Sequence, residues 1–251
     1  MQRLLLTLPT PEANLALDEA LLDRAEAIDP QAEYLRVWES LMPMVVVGRS
    51  SRVGQEVNQQ ACADRGIPIL RRSSGGAAIV AGPGCLMYAV VLSYDLRPQL
   101  RDIRQAHAYV LDRVVEALQP HVPTARTGGT SDLVLGDLGA TVRKFSGNSL
   151  RAKRTHFVYH GTLLYDFDLS LIATCLRMPP RQPDYRQSRG HADFVSNLPL
   201  SRGVLEQVVL EAWPTTDELT DWPRDQVAQL VETRFSRDEW NLVFGRDAAA
   251  S

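Results

Sequence analysis

The chain has 251 residues, a formal net charge of −3, and 45 % hydrophobic against 23 % charged residues. That length suits one large domain, or one domain with a small appendage, and the apolar fraction is ample for a buried core. The near-balanced charge gives no electrostatic signal for nucleic acid or a membrane surface, and no run reaches the ~18 apolar residues of a membrane span. Cys62, Cys85 and Cys175 lack CxxC spacing, so neither a zinc site nor a disulfide framework is expected. An odd thiol count without a signal-peptide pattern fits a reducing cytoplasm.

In chain order, Leu4 to Leu8 reads as a first strand. Thr10 as N-cap and Pro11 at the first helical position open a helix. Leu15, Leu17, Ala20, Leu21 and Leu22 are expected along one side of it, with Asp18, Glu19, Asp23 and Arg24 mostly elsewhere. Tyr34 to Trp38 and Met44 to Gly48 are strand-like, and Gln55 to Arg65 reads as a short helix closed by Gly66. Arg71 to Val80 reads as a strand, a tight turn at Gly75-Gly76 and a second strand. Two glycines leave backbone N–H groups uncovered, so a phosphate or carboxylate could approach closely. Arg71 and Arg72 add positive charge, on opposite faces of the strand, so one of them is expected to reach the turn. A hairpin with surface arginines is the plainer alternative.

Cys85 to Leu92 is wholly apolar, as a strand buried on both faces would be. A helix is expected from about Asp102 to Leu118. Strands are expected over 131–135, 142–150 and 157–165, then a short helix over 169–176. A Pro- and Arg-rich loop covers 178–190, and two closing helices cover 204–213 and 223–235. Strands in runs point to an α+β fold with a mixed, largely antiparallel central sheet flanked by helices.

Three stretches could carry chemistry. Lys144 lies in an expected strand close to Gly147, where a lysine facing a cleft could neutralise a phosphate or carboxylate; an exposed strand lysine is the alternative. His160, with Gly161, lies in an apolar strand, either as hydrogen-bonded structure or as a site residue. Asp132 could hold Mg²⁺ together with substrate phosphates, or serve turn chemistry. No Ser/His/Asp motif is visible, and none of the cysteines has an evident activating neighbour.

Together these stretches resemble the catalytic domain of the lipoate–protein ligase A family, in the biotin/lipoate ligase superfamily. The similar pieces run in the family's order: Asn14 to Glu19, Trp38 with Val45 to Arg49, Arg71 to Ile79, Ser131 to Val134, Lys144 to Gly147, His160 to Leu164 and Val195 to Leu198. Arg237 to Asn241 and Phe244-Gly245 resemble the end of the family's catalytic domain. The resemblance implies a single domain over 1–251 with a closing helical segment at about 203–245 and no carboxyl-terminal accessory domain.

It further implies ATP- and Mg²⁺-dependent activation of lipoate or octanoate to acyl-AMP, then transfer to a lysine of a lipoyl carrier domain. Such carriers are of the 2-oxoacid dehydrogenase E2 or glycine-cleavage H-protein type, and a separate accessory-domain protein could be a second partner. The resemblance assigns Arg72, Ser74, Gly75 and Gly76 to the loop around the adenylate, with Ala77 in place of the family's third glycine. Lys144 becomes the central catalytic residue, within the Lys144–Gly147 stretch; Asp132 lies near metal and phosphates, and His160 and Gly161 near the site. The 177–195 stretch, with Arg177, Arg181, Arg186 and Arg189, resembles a lid that excludes water. Departures from the pattern are Ala77, Cys85 in place of a polar residue, and an insertion over 137–141. The competing implications are an ATP-independent octanoyl or lipoyl transferase acting through a cysteine thioester, and a non-catalytic module that binds lipoyl carriers.

Overall fold

The computed structural model describes residues 1–136, 141–179 and 182–243. Phe244-Gly245, Arg181 and four residues of the 137–141 insertion lie outside the described residues. The chain opens with β1 (Gln2–Leu5), α1 (Pro11–Ile28), β2 (Tyr34–Glu39), β3 (Met44–Val47) and two short helices, α2 (Val53–Glu56) and α3 (Gln59–Ala63). Next come β4 (Ile69–Arg71), β5 (Ile79–Ala81), β6 (Cys85–Ser93), α4 (Ile103–Leu118), β7 (Ala125–Gly128), β8 (Asp132–Leu135), β9 (Arg143–Ala152) and β10 (His156–Leu164). The rest is α5 (Ser170–Cys175), α6 (His191–Phe194), α7 (Arg202–Ala212), the two-residue β11 (Asp217–Glu218), α8 (Arg224–Leu230) and α9 (Asp238–Asn241).

The first strand ends earlier than the run of leucines suggests. Beyond Leu5 the chain turns into the helix: the Leu8 N–H donates to Asn14 Oδ1 at 2.9 Å, and Thr10 Oγ1 caps Ala13 N–H at 3.3 Å. The expected polar side of α1 is also not solvent-facing, since every residue from Asn14 to Leu22 is buried. Asp18 is inside because the fully buried Arg36 of β2 donates to its Oδ1 at 2.6 Å and to the Asn14 carbonyl at 2.7 Å. A buried charge persists when it is paired and hydrogen-bonded.

Eight strands form one sheet in the order β11-β1-β2-β6-β10-β9-β8-β7. The β11–β1 and β1–β2 pairs are parallel and the other neighbours antiparallel, which is the mixed, largely antiparallel sheet expected. Strand β6 sits inside it, buried at all nine positions. Met87, Ala89 and Val91 pack on one face; Leu86, Tyr88, Val90 and Leu92 pack on the other with α4 and α7. Alternation with period two sends successive side chains to opposite cores.

A second sheet, β4-β3-β5, was not foreseen. Strand β3 lies between the two strands expected to form a hairpin, parallel to β4 and antiparallel to β5. Residues 72–78 are therefore a crossover passing over the end of β3. Helix α8 continues into a wider turn over Val231–Phe235, and no helix among the described residues is long and apolar enough to cross a membrane.

Candidate active site

The crossover 72–78 forms one wall of a cleft between the two sheets. It lies so close to β3 that a β-carbon on Gly48 would fall 1.9 Å from the Gly76 carbonyl oxygen, and Gly76 itself takes a φ of +92°. Two arginines shape this wall from opposite sides. Arg71 is fully buried and donates to the carbonyls of Gly48, Arg49, Ser51, Trp240 and Asn241, so it ties the carboxyl-terminal α9 to the small sheet. Arg72 turns into the loop and donates to the carbonyls of Val46, Gly75 and Ala77 and to Ser74 Oγ. Burial lowers the Arg72 pKa to about 10, with the Glu56 carboxylate opposing that fall. A carboxylate does sit at the bend's amides, but it is internal: Glu56 accepts from Ala78 N–H at 2.7 Å. Ala77 lies outside the left-handed region, so alanine is accommodated where the family pattern has glycine.

The facing wall comes from β8, β9 and β10. Lys144 Nζ pairs with Asp132 Oδ1 at 2.7 Å across a register shift between Leu133 and Val134. A β-carbon at Gly147 would lie 2.9 Å from Nζ, so glycine there leaves room for the ammonium group. Tyr185, from the covering loop, donates its hydroxyl to Asp132 Oδ2 at 2.6 Å. On β10, Thr162 Oγ1 accepts from Gly147 N–H at 3.2 Å, and Gly161 makes room for Asn148, whose Oδ1 accepts from Tyr88 at 2.6 Å. His160 Nε2 lies 2.6 Å from Ser74 Oγ, and its Nδ1 lies 3.8 Å from Asp18 Oδ2. A Ser–His–Asp line thus exists that chain order hides. Ser74 is buried, held by Arg72 and His160, and does not line the cleft. The line acts as a tie from the crossover to α1.

Between these walls lies a cavity of about 260 Å³. Leu15, Val46, Met87, Leu164, Ile172 and Phe194 supply apolar surface, and Lys144, Asp132, Asn148 and Thr162 the polar end groups. Arg72, Gly76, Ala77, Asp132, Lys144, Gly147, His160 and Gly161 all line it, whereas Ser74, which is buried, and Gly75, which is exposed, do not. Arg177 and Arg186 face it from the covering loop; Arg189 instead holds that loop down, donating to the Val142 carbonyl at 2.8 Å. Sequence reading missed Asp18 and Glu56 as wall residues and Tyr185 as the partner of Asp132. Their partners lie far away in sequence, and the only local hint is a tyrosine inside a Pro/Arg-rich loop.

None of the three cysteines lines the cavity. All are buried; burial pushes the Cys85 and Cys62 thiols up to about 12, the latter also through its neighbour Cys175. Cys85 packs its sulfur on Met87 at 4.0 Å and makes no contribution to the cleft. The described residues hold no group of three or more His, Cys, Asp or Glu that could bind a metal. Asp18, Glu56 and Asp132 line the cavity; Asp18 accepts from Arg36 and Glu56 from the Ala78 N–H, whereas Asp132 lies beside a lysine. That donor set fits Mg²⁺ carried in on substrate phosphates, which needs only one or two protein oxygens, and not a protein-held ion.

The sequence pattern of the lipoyl protein ligase A/B catalytic domain matches residues 10–209. The chain belongs to that family. Among its relatives, the lipoate-protein ligase LplJ of Bacillus subtilis is 23 % identical, covering 94 % of this chain and 71 % of its own length. The octanoyltransferase LipM of Brevibacillus brevis is 24 % identical, covering 93 % and 95 % respectively. In fold, the chain is similar to a bipartite lipoate protein ligase of Thermoplasma acidophilum, at a TM-score of 0.81 and 22 % identity over 98 % of this chain and 97 % of that one. A lipoate-protein ligase A solved with ATP bound superposes at a TM-score of 0.76, with 22 % identity over 96 % and 98 % of the two chains. Membership of this family and the α+β mixed-sheet fold are thereby established, and the family includes both ligases and transferases.

Proposed function

We propose that this family member is an acyl-adenylate-forming ligase, which joins lipoate or octanoate to ATP and passes the acyl group to a lysine of a lipoyl carrier domain. The observation that carries the reading is the Lys144–Asp132 pair at the polar end of a mainly apolar cavity that no thiol lines. The apolar walls suit a medium-length acyl chain. At the polar end, a fatty carboxylate and an α-phosphate must meet, and their repulsion falls when a fixed cation sits between them. Lys144 is placed for that role, and it can keep the acyl carbonyl polarised while the carrier amine attacks. Asp132 holds the ammonium group in position and faces any divalent cation that the phosphates bring. The loop over 182–195 shields a hydrolysable adenylate from water. Structural neighbours support the ligands and partner: one was solved with bound lipoic acid and one with ATP, and one belongs to a lipoylation system described with its E2 lipoyl domain.

The expected result is carboxylate-dependent exchange of labelled pyrophosphate into ATP, lost in Lys144→Ala. The second reading is an ATP-independent octanoyltransferase, favoured by the nearly full-length match to LipM. It requires a cysteine nucleophile, and Cys175 ends the helix whose Ile172 lines the cleft. Absence of exchange together with loss of transfer in Cys175→Ser would establish that reading instead.

A further inference from the structure

Most charged groups that line the cavity are already engaged. Lys144 Nζ pairs with Asp132 at 2.7 Å, and the Arg72 guanidinium donates to the carbonyls of Val46, Gly75 and Ala77. Arg186 is buried; its Nε donates to the Arg189 carbonyl at 3.0 Å, and its guanidinium lies 4.5 Å from the centroid of the Phe194 ring. The carboxylates are taken as well: Asp18 by Arg36, Glu56 by the Ala78 N–H and Asp132 by Lys144. Arg177 is different. It lines the cavity and is exposed, and its side chain makes no hydrogen bond, ion pair or ring contact with any described residue.

This free side chain stands on a fixed backbone. The Arg177 N–H donates to the Glu56 carbonyl at 2.9 Å, and the Arg177 carbonyl lies 3.3 Å from His191 Nε2. One residue earlier, Leu176 bridges Val57 in antiparallel fashion, and the Cys175 carbonyl accepts from the Asn58 N–H at 2.8 Å. A backbone already in place reduces the entropy lost when its side chain engages a ligand. Being both exposed and part of the lining, Arg177 marks the solvent edge of the cavity. A guanidinium stays charged at any physiological pH, and its paired donors match two phosphate oxygens.

We propose that Arg177 is a catalytic residue of the activation step, the cation that binds the pyrophosphate half of ATP; this role rests on the ligase reading above. In that step a carboxylate oxygen bonds to the α-phosphorus. The bond from that phosphorus to the bridging oxygen breaks, and its electron pair leaves on pyrophosphate; no proton moves. Lys144 serves the α-phosphate and the acyl carbonyl, so the charge that grows on the departing group falls to Arg177. A fixed cation aimed where charge develops lowers the barrier. The acyl-adenylate that remains carries no β-phosphate, and Arg177 has no part in its transfer to the carrier lysine.

The test uses the full chain and Arg177→Gln, with Arg104→Gln on the exposed side of α4 as a control for net charge. By calorimetry, Arg177→Gln should weaken ATP binding roughly tenfold or more, the size of a lost hydrogen bond between charged groups, while AMP binding holds. Exchange of pyrophosphate into ATP should fall by at least as much, and transfer from preformed octanoyl-AMP to a carrier domain far less. Arg177→Lys keeps the charge without the paired donors and should recover part of the ATP affinity. Unchanged ATP affinity overturns the assignment. So do equal losses for ATP and AMP, equal losses in the two half-reactions, or the same effect in Arg104→Gln. Wild-type protein without exchange removes the ligase reading and this role with it; exchange that survives intact in Arg177→Gln removes this role alone.

Discussion

The ammonium group of Lys144 is placed by what is missing beside it. With Gly147 replaced by alanine, the new methyl would sit 2.9 Å from Nζ, against the free end of a flexible side chain. Gly147→Ala should therefore cost under about 1 kcal/mol in denaturant unfolding, yet reduce adenylate formation tenfold or more, because about 1 Å of misplacement suffices for such losses. Lys144→Ala should reduce the same rate at least 100-fold, as loss of a charge-stabilising group does, with little change in melting temperature. The two variants together distinguish placement of the charge from its presence. Sequence made Lys144 and Gly147 visible, because a lysine and a glycine in one strand are local. It could not show Tyr185 on Asp132, a contact between residues 53 positions apart.

At the scale of elements, the crossover 72–78 depends on charges that face inward. Expectation placed one of the paired arginines at the turn, as a cation offered to a ligand. In the structure each guanidinium is turned on backbone carbonyls, and Glu56 lies against the bend beside Arg72. Buried carbonyls must find donors, and the two guanidinium groups supply them to β3, to the turn after it and to α9. Arg71→Met is expected to destabilise the protein by about 3 kcal/mol or more, since several buried acceptors lose their donor together. The change should appear in a chemical denaturation midpoint, with hydrogen exchange rising first across 238–241. The hairpin expected over 71–80 failed for a related reason. Pairing of β4 and β5 with the earlier β3 is set by burial of Val45 and Val46, which local turn chemistry does not report.

The described residues form an eight-stranded sheet with α4 and α7 packed on one face, and α1, the three-stranded sheet and the cleft on the other. Two of its histidines, His107 and His191, are held below the ordinary imidazole pKa of 6.5, by burial in both and by the nearby Arg186 in the second. Native protein keeps them neutral while the unfolded chain takes up protons below about 6.5, so the unfolded state binds more protons there and stability falls as pH falls. Thermal midpoints should accordingly drop between about pH 7 and pH 5, and His107→Gln should flatten that slope. A melting temperature that rises on acidification would contradict this assignment.

Strand and helix identity were written locally, in the unbroken apolar run of β6 and the Thr10-Pro11 helix start. Those signals, with the ordered family pieces, were enough for the fold class and for bringing Lys144, Asp132, His160 and Arg72 to attention. What only tertiary structure decided was direction: which face a buried Asp18 turns to, which carbonyls two arginines satisfy, and which hydroxyl reaches Asp132. Local sequence sets backbone conformation through sterics and turn chemistry. A buried charge instead takes its partner from whatever the packed elements bring near it, and that choice is made only once the sheets have closed on each other.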